Sequence, residues 1–363
     1  VKGFEPLTPL KKVGFWTILA ASTLLGLVLV GETLVWTIQP TQYLYPRYQA
    51  SPEYGLIPFP EVVMVHGYPR EYKFHYTTDA NSCRASCGIS AIDDFGLPTI
   101  VVLGDSYSFG IGVADGDEYP AVMKRALAGK AEVLNLGSPG WGLTQEIRRY
   151  AGSGEIFDPQ VVILQFCAND IMDNLVYPVA HVNGDGFEFV PSTNSLTWTK
   201  RYLSRSWIQR SQLYNFLRSR AFRMMSDHIA AGETARLEDS GSAAEDSSTE
   251  REAAQQVHVD LMEAFAGQLK SDGRHLILIS VDRQLDQFPL VRQSVEDLRA
   301  HGALRYVEVE DWLDGMPFHA SPEGHLWGTN AHHAIGDSLA LLVMELMSYS
   351  TDTSSVDERR SAE

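Results

Sequence analysis

Residues 100–110 read IVVLGDSYSFG, an aliphatic run that breaks at Gly104, Asp105 and Ser106. A short stretch of β-branched and aliphatic residues ending this abruptly predicts a buried parallel strand that delivers a serine to the carboxyl edge of a sheet. In open α/β sheets that edge is where ligands and chemistry sit, so Ser106 is a candidate nucleophile. The competing reading makes Ser106 only the N-cap of the helix that follows, a position serine favours.

Outward from this stretch an alternation develops. Apolar strand-like runs recur at 99–103, 133–136, 161–166, 275–281 and 304–309, separated by helix-like segments near 118–128, 143–150, 252–270, 290–301 and 331–347. Strands alternating with helices imply right-handed βαβ units and a mostly parallel sheet covered on both faces. The expected fold is therefore a three-layer α/β/α sandwich over 99–348. Before it, 39–98 is rich in Pro, Tyr and Gly without a sustained period, and reads as a stalk with short strands. An insert at 183–252 interrupts the alternation. Its first part carries Arg201, Arg205, Arg210, Arg218, Arg220 and Arg223 among Trp207, Ile208, Leu213, Phe216 and Leu217. Such a segment suits an anionic membrane surface, a lid over the active edge, or simple packing on the domain with a solvated basic face. Residues 232–252 and the tail 349–363 are acidic and poor in apolar residues, and are expected to be flexible.

Composition locates the domain. From 13 to 30 no residue is charged, and apolar character resumes at Leu34, Val35 and Trp36. That is long enough to cross a bilayer as a helix, which needs roughly 17–25 residues. A cleaved signal peptide is the rival reading, but its apolar region would be shorter and followed by a small-x-small site. A retained anchor over 13–38 is preferred. Lys2, Lys11 and Lys12 precede it and only Arg47 follows soon after, which places residues 1–12 in the cytoplasm and the domain outside, which is the periplasm if the cell is Gram-negative. The net charge of −17 argues against a nucleic-acid partner, whose phosphates demand lysine and arginine. Three cysteines are present. Cys83 and Cys87 could bridge if their geometry allows, and Cys167 is left over. Neither a metal nor a cofactor is expected.

Three further motifs fall at ends of expected strands. Residues 135–142 read NLGSPGWG, residues 166–170 read FCAND, and residues 321–325 read SPEGH. In this order, on this alternation, they resemble the SGNH (GDSL) hydrolase family of esterases and acyltransferases, over roughly 98–347 with the insert excluded. The resemblance implies Ser106 as nucleophile and His325 as general base. It implies an oxyanion hole made by the N–H of Ser106, the N–H of Gly140 and the side-chain amide of Asn169. VLGDSYSFGIGV, NLGSPGWG and ANDIMDN also look like membrane-anchored, extracytoplasmic members that handle acyl groups on glycans.

The chemistry needs these groups together. A serine hydroxyl attacks only when a base within hydrogen-bond reach takes its proton, and a carboxylate must orient the resulting imidazolium. The family places an aspartate two or three residues before the histidine; here Glu323 stands there, with Asp314 a more distant substitute. Cys167 replaces the glycine of the family's Gly-x-Asn-Asp block, and reads as a small buried residue rather than a nucleophile. His319 competes with His325, while His332 and His333 fall in the first turn of the last helix, where at least one should be structural or exposed. Two functions remain open. One is an anchored esterase or O-acyltransferase acting on an acylated small molecule or glycan. The other is a degenerate domain serving as an accessory subunit docked on integral-membrane partners, photosynthetic or respiratory for instance.

Overall fold

The computed structural model describes residues 8–38, 48–68, 72–94, 96–184, 186–193, 211–218, 220, 243–313 and 327–360. A first helix, α1 (Pro9–Ile38), leads into two antiparallel hairpins, β1 (Tyr48–Ser51) with β2 (Gly55–Pro58) and β3 (Val63–Tyr68) with β4 (Tyr72–Thr77). The core alternation follows as β5 (Thr99–Leu103), α2 (Ser106–Phe109), α3 (Tyr119–Ala126), β6 (Glu132–Asn135), α4 (Leu143–Arg149), β7 (Val161–Phe166) and α5 (Asp170–Val176). A small hairpin, β8 (Ala180–Asn183) with β9 (Gly186–Phe189), precedes α6 (Ala243–Ser271), β10 (His275–Ser280), α7 (Pro289–Ala300), β11 (Arg305–Glu308) and α8 (Thr329–Arg360).

The five core strands pair in the order β11-β10-β7-β5-β6, all parallel. Counted along the core this is the order 2-1-3-4-5, and it reverses between β5 and β7. Loops leaving those two strands diverge to opposite faces, which opens the crevice where such sheets bind ligands.

Period-two alternation sorts the strand side chains into two cores. Val101, Leu103, Val162, Leu164 and Leu278 face α4, α6 and α7 through Ile147, Phe265 and Val291. Ile100, Val102, Val133, Ile163 and Ile277 face α3 and α8 through Met123, Ile335 and Leu339. Every residue of β5 and β7 is buried, as a sheet covered on both faces requires. Each aliphatic side chain so covered contributes roughly 1.5–3 kcal/mol. The expected three-layer α/β/α sandwich is the observed fold.

Two expectations are corrected, and the pairing of Cys83 with Cys87, left open by the sequence, is answered. Residues 39–98 carry the expected short strands, β1 to β4, but the described part packs into the domain instead of standing off it as a stalk. Tyr54 stacks on Trp141 with ring centroids 4.9 Å apart, Trp141 Nε1 donates to the Leu56 carbonyl at 2.8 Å, and Gln145 Nε2 donates to the Tyr54 carbonyl at 2.6 Å. Cys83 and Cys87 do not bridge: both are free, buried in separate cores, with Cys83 Sγ meeting Arg149 Nη2 and Cys87 Sγ meeting the Val133 carbonyl. Parts of the segments expected to be flexible are helical, since α6 begins at Ala243 and α8 runs on to Arg360. Both are extensions of helices already nucleated by buried faces, and propagation lacks the cost of starting a helix.

Helix α1 is long and apolar enough to cross a membrane, with a mean hydropathy of 2.1 over its best window and no buried residue. Only Gly31, Glu32 and Val35 are partly covered.

Candidate active site at the sheet reversal

Ser106 emerges from the end of β5 as the first residue of α2 and is partly exposed. The residue that caps α2 is Asp105, whose carboxylate accepts from the Tyr107 N–H at 3.1 Å. The capping reading of Ser106 therefore fails, and its hydroxyl is not consumed by the helix.

The turn is held by a polar network under it. Gln165, fully buried on the central strand β7, presents one oxygen to the N–H of Asp105 at 3.1 Å, the N–H of Ser108 at 3.3 Å and the hydroxyl of Ser108 at 3.1 Å. Ser108 Oγ also meets the Tyr119 hydroxyl at 2.7 Å. Asn135, at the end of β6, donates its amide to the Ser108 carbonyl at 2.7 Å and accepts from the Gly137 N–H at 3.0 Å. Gly104 is required twice over: its φ is +147°, and a Cβ there would overlap Ser108 Oγ and Gln165 Oε1.

Arg84 closes the network from the far side. Its buried guanidinium donates to the carbonyls of Phe109 (3.2 Å), Gly110 (2.7 Å) and Val113 (2.7 Å), and pairs with Asp115 at 2.8 Å and Glu118 at 3.7 Å. It also lies over the Tyr76 ring at 4.7 Å. Gln165 was legible as a polar residue inside the otherwise apolar strand VVILQF, since a buried amide must find partners. Arg84 gave no such signal.

The expected oxyanion donors arrive at the same edge. The N–H of Ser138 donates to the Gly104 carbonyl at 2.9 Å, which ties the loop carrying Gly140 directly to the serine turn. Gly140 has φ +74° and open space where a Cβ would stand, so its glycine serves conformation rather than close contact. Among the described residues neither the Ser106 N–H nor the Gly140 N–H meets an acceptor. Asn169, at the N-terminus of α5 after β7, uses one amide hydrogen on Asp173 Oδ2 at 2.7 Å, which fixes its plane and leaves the second. Burial raises the Asp173 carboxyl, against the lowering effect of this bond. Tyr48 of β1 lies within electrostatic reach of Asp105 and Asp173, a link from the first hairpin that the sequence reading missed.

The expected base and acid, His325 and Glu323, lie outside the described residues, as do Asp314 and His319. The residue that resumes the chain, Trp327, packs its ring on Tyr107, the neighbour of Ser106, with centroids 4.7 Å apart. His332 is structural: fully buried, its Nδ1 accepts from the Tyr119 N–H at 3.1 Å, and burial pushes it down to about 3. His333 is partly exposed and meets Asp117 at 3.0 Å. Cys167 is buried, its thiol donates to Gln284 Oε1 at 3.3 Å, and burial beside Asp105 and Asp170 holds it well above the usual thiol range. It is no nucleophile.

Asp105, Glu146 and Asp170 form a group of buried carboxyls within electrostatic reach of one another. Burial pushes Asp105 up to about 6, against hydrogen bonds from Tyr107, Cys167 and Gln165. Glu146 of α4 is 1% exposed, and neither of its oxygens meets a donor among the described residues. Burial, with the charges of Asp105 and Asp173, holds it well above the carboxylate range, and burial with Glu146 does the same to Asp170. The folded protein thus keeps protons that the unfolded chain releases above about pH 4.3. The contribution of these groups to stability falls as pH rises above that value, because at them the folded state then binds more protons than the unfolded one. Glu146→Gln removes one such proton site in a neutral isostere. Thermal melts should show the variant more stable than the parent at pH 8, with the difference shrinking below about pH 4.5. An equal difference at both pH values would mean that Glu146 is ionised in the fold.

Three solved structures show what the chain is similar to. A putative lipolytic protein of the G-D-S-L family from Desulfitobacterium hafniense is 12% identical, with 67% of this chain and 97% of that one covered and a TM-score of 0.39. A carbohydrate acetylesterase family member from Sinorhizobium meliloti is 11% identical, with 69% and 100% covered and a TM-score of 0.40. A putative arylesterase from Agrobacterium tumefaciens is 15% identical, with 69% and 99% covered and a TM-score of 0.35. No protein of curated function matches the chain in sequence. The model of the GDSL-like lipase/acylhydrolase family matches residues 100–326, from the first core strand across Ser106 and Asn169 to the residue after His325. The match spans well over half of the chain, which belongs to that family.

Proposed function

We propose that the chain is a membrane-anchored, extracytoplasmic serine esterase or O-acyltransferase, with the acyl group carried on Ser106 between donor and acceptor. The observation that carries this reading is a partly exposed serine at the end of β5, not used as a cap, whose turn is tied by the Ser138 N–H to the loop of Gly140, while the N–H groups of Ser106 and Gly140 have no acceptor among the described residues. Asn169, held by Asp173, adds a third donor.

In the proposed reaction His325 takes the hydroxyl proton as Ser106 Oγ bonds to the ester carbonyl carbon. The three donors hold the oxyanion, and each such donor is typically worth about 10²–10³ in rate. The ester bond then breaks, the leaving alkoxide receives the proton from His325, and the acyl group remains on Ser106. Water or a sugar hydroxyl, deprotonated in turn by His325, bonds to the acyl carbon, the bond to Ser106 Oγ breaks, and His325 returns the proton to Oγ. Glu323 is assigned the carboxylate that orients His325. The packing of Trp327 on Tyr107 supports this assignment, since Trp327 follows His325 by two residues. The anchor reading rests on α1, and the basic residues ahead of it favour a cytoplasmic N-terminus.

The test is release of nitrophenolate from p-nitrophenyl acetate by the detergent-purified full chain, with and without an oligosaccharide acceptor. Catalytic release is expected; faster release with acetylated oligosaccharide as product assigns transfer, and release unaffected by the acceptor assigns hydrolysis. Release no faster than in buffer would overturn the reading.

A further inference from the structure

We propose that the helix at 211–218, with Arg220, is a foot that Glu32 clamps to the outer end of the membrane helix and that seats on anionic lipid headgroups. The proposal rests on the anchor reading of α1. The uncharged run 13–30 spans about 27 Å as a helix, close to the thickness of a bilayer's hydrocarbon. Glu32 is the first charged residue beyond it and therefore stands where headgroups begin.

Its carboxylate does not face solvent alone. It accepts from Ser211 Oγ at 2.7 Å, from the Gln212 N–H at 2.6 Å and from the Leu213 N–H at 2.9 Å. A side chain about 180 residues away in sequence thus takes two of the N–H groups that a helix start leaves without intrahelical partners. The capped helix also has its local cap, since the Tyr214 N–H donates to Ser211 Oγ at 3.0 Å. Gly31 eases the approach, because a Cβ there would lie 3.0 Å from Leu213 Cδ2, tight enough that the leucine tip would have to give a little. Gly31, Glu32 and Val35 are the partly covered positions of α1, spaced as one helical face.

The chemistry of the foot selects its partner. In a chain of net charge −17, residues 189–226 hold seven lysines and arginines and no aspartate or glutamate. On the described part, Leu217 is 56% exposed beside the exposed Arg218 and Arg220, and the Arg220 guanidinium stands 5.3 Å from the Phe216 ring. Apolar and cationic side chains side by side at the level of the headgroups match an anionic interface. The clamp then sets the orientation of the domain above the bilayer.

The experiment uses the full chain in vesicles of phosphatidylcholine alone and of phosphatidylcholine with 30% phosphatidylglycerol. Leu217→Cys carries an environment-sensitive fluorophore, the three native cysteines being buried. The label should shift to the blue with phosphatidylglycerol, and Arg218→Gln with Arg220→Gln should reverse the shift. Hydrogen exchange at Gln212 and Leu213 should rise at least tenfold in Glu32→Ala, while exchange in the core strands stays unchanged. Identical emission in both vesicles would overturn the headgroup contact, and unchanged exchange in Glu32→Ala would overturn the clamp. Loss of residues 9–38 from membrane-purified protein would instead remove the anchor reading beneath both.

Discussion

Ser106→Ala is expected to lower kcat for a simple acetyl ester by at least about 10³-fold, some 4 kcal/mol of transition-state stabilisation, with KM little changed. The serine supplies the bond-forming atom, so nothing left in the site replaces it, and the residual rate is what the oxyanion donors give to attack by water. The same substitution should leave the fold alone. The Ser106 side chain makes no hydrogen bond among the described residues, and the cap of α2 belongs to Asp105. A melting temperature within a few degrees of the parent, beside a lost rate, separates a nucleophile from a structural serine. Retention of activity within tenfold would remove Ser106 from the chemistry.

Arg84→Met should destabilise the domain by about 3–5 kcal/mol, the range for breaking a buried ion pair by removing one partner. Methionine fills much of the space but strands three carbonyls, of Phe109, Gly110 and Val113, without their donor. It also leaves Glu118, fully buried and otherwise bonded to the Ser86 hydroxyl and the Gly116 N–H, without its cation. For a domain of this size the loss corresponds to a drop in melting temperature of roughly 6–20 °C. Arg84→Lys keeps the charge but not the fork, and should fall between. Because Phe109 and Gly110 end the helix that Ser106 begins, esterase activity should fall even below the melting transition. A loss under about 1 kcal/mol would mean that the loop after α2 is held by other contacts.

What was legible in the sequence and what was not divides by range. The strands 99–103 and 161–166 were placed to the residue because periodicity and the break at Gly104 are local signals, and the other three core strands to within a residue at each end. The serine turn and the Gly140 and Asn169 loops followed from strand order. Arg84 could not, because its partners lie 25–34 residues away and only the fold brings them together. Tyr48 was hidden for the same reason, in a segment without periodicity. The link from Glu32 to Gln212 spans 180 residues, and the glutamate read only as the end of an apolar run. Residues 243–252 failed differently: their composition is weakly apolar, but the helix they extend is anchored by Phe265 and Leu269, so local content misjudged them.

The account turns on whether Ser106 forms a covalent bond to an acyl-like electrophile. Fluorophosphonate labelling of the folded full chain, followed by peptide mass mapping, asks this directly, since phosphonylation needs the activated hydroxyl and no knowledge of the substrate. A single adduct on Ser106, absent from Ser106→Ala of equal melting temperature, is the predicted result. Folded protein that remains unlabelled, or an adduct that maps elsewhere and survives the substitution, would contradict it.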